Sequence, residues 1–261
     1  MRLPARYSSC APRTVGGEPG LTVDPARLRA RTARDAGCED GGMEELRLQI
    51  GGVALAADLI LPERPSGLVI FAHGSGSTRR SPRNRAVASV LNGAMLGTLL
   101  FDLLTEQEGR RRELVFDIPL LAGRLEGATR WAIAQRDIRG LPVGYFGAST
   151  GAAAALRAAA ALGETIRAVV SRGGRPDLAA NRLPLLSAAT LLLVGSRDTE
   201  VLALNRQASA ILRCPHQLTV IDGADHLFTQ PGALATVARL AAEWFERHLA
   251  APALHLGAPS A

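Results

Sequence analysis

Leu141-Pro142-Val143-Gly144-Tyr145-Phe146-Gly147-Ala148-Ser149-Thr150-Gly151, running on into Ala152 to Leu162, reads as strand, tight turn and helix in direct succession. The lead-in is apolar, and the alanine-rich lead-out has strong helix propensity. A serine on such a turn is pushed out at the top of a sheet, and glycine at positions 147 and 151 relieves the crowding that any side chain would cause. The N–H of Thr150 opens the helix, so it can face a developing negative charge with the helix dipole behind it. In a chain this rich in Ala and Gly, the pattern Gly-x-Ser-x-Gly alone says little. Its strand-turn-helix context gives it meaning.

Outward from this turn, short apolar strands alternate with helical segments. Leu46 to Ile50 and Val53 to Ile60, split by Gly51-Gly52, predict a hairpin with a type I′ or II′ turn. Leu68 to Ala72, Gly97 to Phe101, Val143 to Phe146, Ile166 to Val170, Thr190 to Val194 and Gln217 to Ile221 read as further strands. Arg83 to Ala94, Ile118 to Gln135, Val201 to Leu212 and Ala233 to Leu249 have helical spacing, and Asp102 to Arg112 reads as a polar loop. Such alternation predicts an α/β fold: a mostly parallel sheet with helices on both faces and an antiparallel edge from the hairpin. The connection from Val170 to Thr190 is too short for a large lid.

One folded domain is expected over residues 43–249. Residues 1–42 mix Pro, Gly, Arg and Asp without apolar period and read as a disordered extension, with residues 250–261 as a flexible tail. Folded-looking sequence begins directly after Met43, which marks that methionine as a candidate start; a native N-terminal peptide beginning at Met1 would refute this.

Parallel sheets gather ligands at the carboxyl ends of their strands. Ser149, Asp198, His226 and the run His73-Gly74-Ser75-Gly76-Ser77 all fall at such ends. Ser149 suits a nucleophile and His226 a base able to take its proton near neutral pH. Asp198 would hold the other ring nitrogen and steady the imidazolium; Asp102, also at a strand end, is its rival, and Asp198 could equally cap the helix after it. The oxyanion donors expected are the amides of Thr150 and Ser75, one donor being worth roughly 3 kcal/mol at the transition state. His73 suits a post that orients the glycine-rich loop, and Asp225 should point away from the base.

All 30 basic residues are arginine, the formal net charge is +6, and aromatics are only 4%. Scattered arginines with so few aromatics do not describe a nucleic-acid surface. Arg79, Arg80, Arg83 and Arg85 follow the glycine-rich loop, and Arg172 and Arg175 flank Gly173-Gly174. They are either solvated or rim the crevice, where they would clamp an anionic substrate; His73, Gly74, Arg79 and Arg172 are the candidate contacts. The glycine-rich loop lacks both the Lys-Ser/Thr ending of a P-loop and the dinucleotide spacing. Three cysteines without ligand spacing suggest neither a disulfide framework nor a metal site, and no cofactor is expected. Neither a membrane-spanning run nor a secretory leader is readable, so a cytoplasmic setting is the expectation.

The segments HGSGSTRRSPRNR (73–85), Phe101-Asp102-Leu103-Leu104, Gly147 to Gly151, SRGGRPD (171–177), Gly195 to Asp198 and Asp225-His226 together resemble the alpha/beta hydrolases of the dienelactone-hydrolase-related group. The resemblance spans about Met43 to Leu249. It implies the alpha/beta-hydrolase fold and a lidless, cofactor-free hydrolase with Ser149, Asp198 and His226 as its triad. Some relatives of this kind are fused to phosphoribosyltransferase-like domains, which this chain does not supply. Dienelactone hydrolases proper use a cysteine nucleophile where this chain has Ser149, so the resemblance transfers the fold and not the dienelactone substrate. The function expected is cleavage of a small carboxylic ester or lactone through an acyl-enzyme. Acyl transfer, or thioester or amide cleavage, would use the same triad, and a non-catalytic binding module would keep only the fold.

Overall fold

The computed structural model describes residues 46–250; the expectations for residues 1–42 and for the tail beyond Ala250 lie outside the described residues. Eight strands form one sheet: β1 (Leu46–Ile50), β2 (Val53–Ile60), β3 (Gly67–Ala72), β4 (Leu96–Phe101), β5 (Val143–Ala148), β6 (Ile166–Arg172), β7 (Ala189–Gly195) and β8 (His216–Ile221). Their order is β1-β2-β4-β3-β5-β6-β7-β8. β2 runs antiparallel to β1 and β4, and the other pairings are parallel. Gly51 and Gly52 both have positive φ (58° and 79°), which selects the type I′ turn.

The helices are α1 (Pro82–Gly93), α2 (Glu106–Gly109), α3 (Arg112–Val115), α4 (Ile118–Ala134), α5 (Thr150–Leu162), α6 (Thr199–Ile211) and α7 (Ala233–Leu249). Their starts follow local chemistry. The Ser81 hydroxyl accepts from Asn84 N–H ahead of α1, and the Asp117 carboxylate accepts from Leu120 N–H ahead of α4. α1 and α7 cover one face of the sheet, where Val87, Leu91, Val237 and Phe245 meet Val69, Phe146 and Val170. α4 and α5 cover the other, where Leu121, Leu125, Ala154 and Ala158 meet Leu68, Ile70 and Val169. The central strands β3 to β5 are thus buried on both sides and are apolar but for the hydroxyls of Thr98 and Tyr145, both hydrogen-bonded.

One segment differs from the sequence expectation, and a second agrees with it. The polar stretch after β4 is ordered as α2 and α3. α2 is closed by a capping box in which Thr105 and Glu108 satisfy each other's backbone amides. Glu108 also binds Arg124 of α4 at 2.9 Å, and Arg124 donates to Ile50 O at 3.0 Å, tying this segment to the hairpin. The connection after β6, expected to hold no large lid, forms a 3-10 helix, Pro176–Leu185, that packs on α5 and α6.

Candidate active site

Register aligns the carboxyl ends of the strands. Ala72 pairs with Gly147, Ala148 with Arg172, Arg172 with Leu193 and Gly195 with Ile221, so the loops that follow emerge along one edge. At that edge Ser149 has φ 51° and ψ −119°, a strained conformation for a residue with a side chain. Its amide donates to Arg172 O at 3.1 Å, and its carbonyl accepts from Ala152 and Arg175 amides. The turn is too tight for other residues around it: a Cβ on Gly147 would lie 2.5 Å from Ala152 Cα, and one on Gly151 2.2 Å from Ala72 O.

Asp198 and His226 are brought together. His226 Nδ1 donates to Asp198 Oδ2 at 2.6 Å, with Asp198 largely buried and His226 38% exposed. Asp198 occupies the helix-cap position of α6, yet its side chain makes no capping bond and serves the imidazole instead. Gly173 links this pair to the serine: a Cβ there would come 3.5 Å from the His226 ring, while the residue before it holds the Ser149 amide. The loop beyond His226 is fixed by Asp225, which accepts from the Leu227 and Thr229 amides and the Thr229 hydroxyl. Those bonds, Thr229's first, hold its carboxyl down at about 2.

Asp102, the rival acid, is engaged elsewhere. It accepts from Arg79 N at 2.7 Å and from Arg79 Nη1 at 2.6 Å, and Asp58 stands 3.6 Å from Arg79 Nε. Arg79 is therefore occupied by carboxylates rather than offered to a ligand. Arg175 is likewise bound in fork geometry by Asp177. His73 is fully used inside the protein: Nδ1 donates to Gly74 O and Nε2 accepts from Leu103 N–H, both at 3.0 Å. Burial pushes its pKa below the ordinary value, which keeps the ring neutral and suited to this pair of bonds. It joins the glycine-rich loop to the end of β4, beside the crevice that opens at Ser75 and Thr150.

The two expected oxyanion donors differ. Thr150 N–H, in the first turn of α5, has no intrahelical acceptor. Ser75 N–H instead donates to Thr150 Oγ1 at 2.9 Å, a bond that clamps the loop onto α5. Gly74 lies against the serine, since a Cβ there would come 3.1 Å from Ser149 Cβ. A crevice of ≈ 1200 Å³ opens beside Ser75 and Thr150 toward β2 and α2. Arg172 is 7% exposed, and its Nε and Nη1 are buried without a hydrogen-bond partner. Burial first, and then the charge of Arg83, push its pKa down to about 10, so it remains a cation at neutral pH. Sequence reading placed Arg83 among the arginines that could rim the crevice but not among the candidate contacts, because which arginines meet depends on how separate elements pack.

A sheet of this order with these loops at its carboxyl edge defines the alpha/beta-hydrolase class. No family model matches the chain. A dienelactone hydrolase from Anabaena variabilis is 54% identical in sequence and superposes with a TM-score of 0.77, over 78% of this chain and 97% of that one. The chain belongs to the dienelactone-hydrolase-related group of the alpha/beta hydrolase superfamily. Est1E from Butyrivibrio proteoclasticus shares the fold at 15% identity, with a TM-score of 0.68 over 78% of this chain and 98% of that one. Two Mycobacterium tuberculosis proteins (strains CDC 1551 / Oshkosh and ATCC 25618 / H37Rv), which carry the provisional name of phosphoribosyl transferase, are 57% identical over 209 residues. The match covers 80% of this chain, which spans 47% of the length of those proteins. Among the described residues no helix is long and apolar enough to cross a membrane, and no group of His, Cys, Asp and Glu could hold a metal ion.

Proposed function

We propose that the protein cleaves a carboxylic ester or lactone through an acyl-enzyme on Ser149. The observation that carries this reading is the 2.6 Å bond from His226 Nδ1 to Asp198 at the edge where Ser149 is held on its strained turn. With Nδ1–H committed to Asp198, the bonding assigns a lone pair to Nε2, the nitrogen that takes the serine proton.

The steps follow. Ser149 Oγ attacks the acyl carbon as His226 accepts its proton, and the carbonyl π electrons move onto oxygen. Thr150 N–H receives that oxyanion, and Ser75 N–H would serve as a second donor by exchanging Thr150 Oγ1 for it. Collapse breaks the carbon–oxygen bond to the leaving alcohol, which takes the proton from His226; a lactone opens without losing its alcohol part. Water, deprotonated by the same imidazole, then attacks the acyl-enzyme, and His226 returns the proton to Ser149. The partial exposure of His226 suits it to meet that water. The dienelactone hydrolase likeness supports the ester or lactone class, and nothing in the transferase name of the M. tuberculosis proteins is carried over.

A fluorophosphonate probe should label the wild type and leave Ser149→Ala unlabelled. A folded, unlabelled wild type would overturn the reading. Nitrophenyl esters of rising acyl length then measure the acyl pocket.

A further inference from the structure

Three arginines among the described residues are less than a tenth exposed: Arg79, Arg124 and Arg172. Arg79 is bound by Asp102, and Arg124 by Glu108 and the Ile50 carbonyl. The Arg172 guanidinium has neither an ion pair nor a hydrogen bond, and the Phe228 ring lies 5.8 Å from its Cζ. A buried charge without a partner is costly, so folding alone gives no reason to hold it there. Arg83, in the first turn of α1, also has a buried Nε without a partner. The charge of Arg83 acts on Arg172, and Arg172 lies over the Phe228 ring, so the two cations stand near one another, Arg83 in the first turn of α1 and Arg172 beside the loop that carries His226 and Phe228.

We propose that Arg172 and Arg83 form a recessed anion site that takes a compact dianionic group of the substrate, a phosphate monoester rather than a single carboxylate. Guanidinium forks match the oxygens of phosphate and carboxylate alike, and charge decides between them. One carboxylate would leave a net positive charge in the recess, whereas a phosphate dianion neutralises both arginines. The site adjoins the reacting groups: the Arg172 carbonyl holds the Ser149 amide, and a Cβ on its neighbour Gly173 would come 3.5 Å from the His226 ring. An anion on Arg172 thus marks one end of a small molecule whose acyl carbon reaches Ser149. This assignment of the ligand as substrate rests on the hydrolase reading above; the anion site itself does not.

Thermal unfolding of the full chain, titrated with inorganic phosphate against chloride and acetate at equal ionic strength, tests it. Phosphate should raise the Tm of wild type and of Ser149→Ala, by mass action on the folded state. Arg172→Gln should abolish that rise while starting no lower than wild type, because it removes an uncompensated charge. Arg83→Gln, at a partly exposed position, keeps the test available if the Arg172 variant does not fold; it should weaken phosphate binding by roughly ten-fold or more. Acetate as effective as phosphate in wild type, or a phosphate response retained in both variants, would overturn the proposal. The two readings separate cleanly. Fluorophosphonate labelling without a phosphate response leaves the hydrolase and removes the anion site; a phosphate response without labelling does the reverse.

Discussion

Thr150 combines two duties in one residue. Its amide opens α5 beside Ser149, while its buried hydroxyl accepts the Ser75 amide at 2.9 Å. Replacing it by valine keeps the shape and the backbone amide but leaves Ser75 N–H without an acceptor in a part-buried place. Such an orphaned donor costs about 1–3 kcal/mol. Thr150→Val should therefore lower the urea midpoint accordingly, and Thr150→Ser should recover most of the loss. Equal midpoints for the valine variant and wild type would mean that the loop is held by other contacts. The same residue shows where sequence reading stops. That Thr150 and Ser75 lie near the nucleophile is legible from the elbow and the glycine-rich loop. That one donates to the other depends on side-chain direction, which no spacing encodes.

At the scale of elements, the strand and helix order was legible because apolar periods of 2 and 3.6 are interrupted by glycine, proline and polar turns. α2 and α3 were not, since four-residue helices are too short to display a period. β6 runs two residues further than its apolar stretch, through Ser171 and Arg172, because pairing with β5 and β7 outweighs their polarity. Which arginine would be free was also illegible: it depends on whether a carboxylate from another element lands beside it, as Asp102 of the β4 end does for Arg79. The same logic makes a prediction for α2. Glu108 is paired to Arg124, side chains 20% and 6% exposed, and Arg124 also carries the Ile50 carbonyl of the hairpin. Arg124→Leu should cost about 2 kcal/mol, below the full value for a buried pair because Glu108 keeps some water contact. Hydrogen exchange should rise most at the β1–β2 turn and in α2. A uniform rise across the sheet would contradict a local tie.

The whole molecule converges on the carboxyl edge of its sheet, and His73 is where that convergence acquires a pH dependence. The imidazole joins the glycine-rich loop to the end of β4 through two bonds that suit only the neutral ring, with Nε2 as acceptor from Leu103 N–H. Burial, the largest cause, lowers its folded pKa below the ordinary 6.5, while the unfolded chain keeps the ordinary value. Below pH 6.5 the unfolded state therefore binds more protons than the folded one at this site, so stability falls as pH falls through that window; above it the contribution is complete. His248 shifts in the same direction, and Asp225 acts only far lower, near pH 2 to 4. A comparison at one residue isolates the His73 part. His73→Gln offers an amide oxygen to Leu103 N–H but nothing to titrate. Its Tm should decline less than that of wild type between pH 7 and 5, even if it starts lower. Parallel declines in the two proteins would show that His73 does not set the acid limit of this fold.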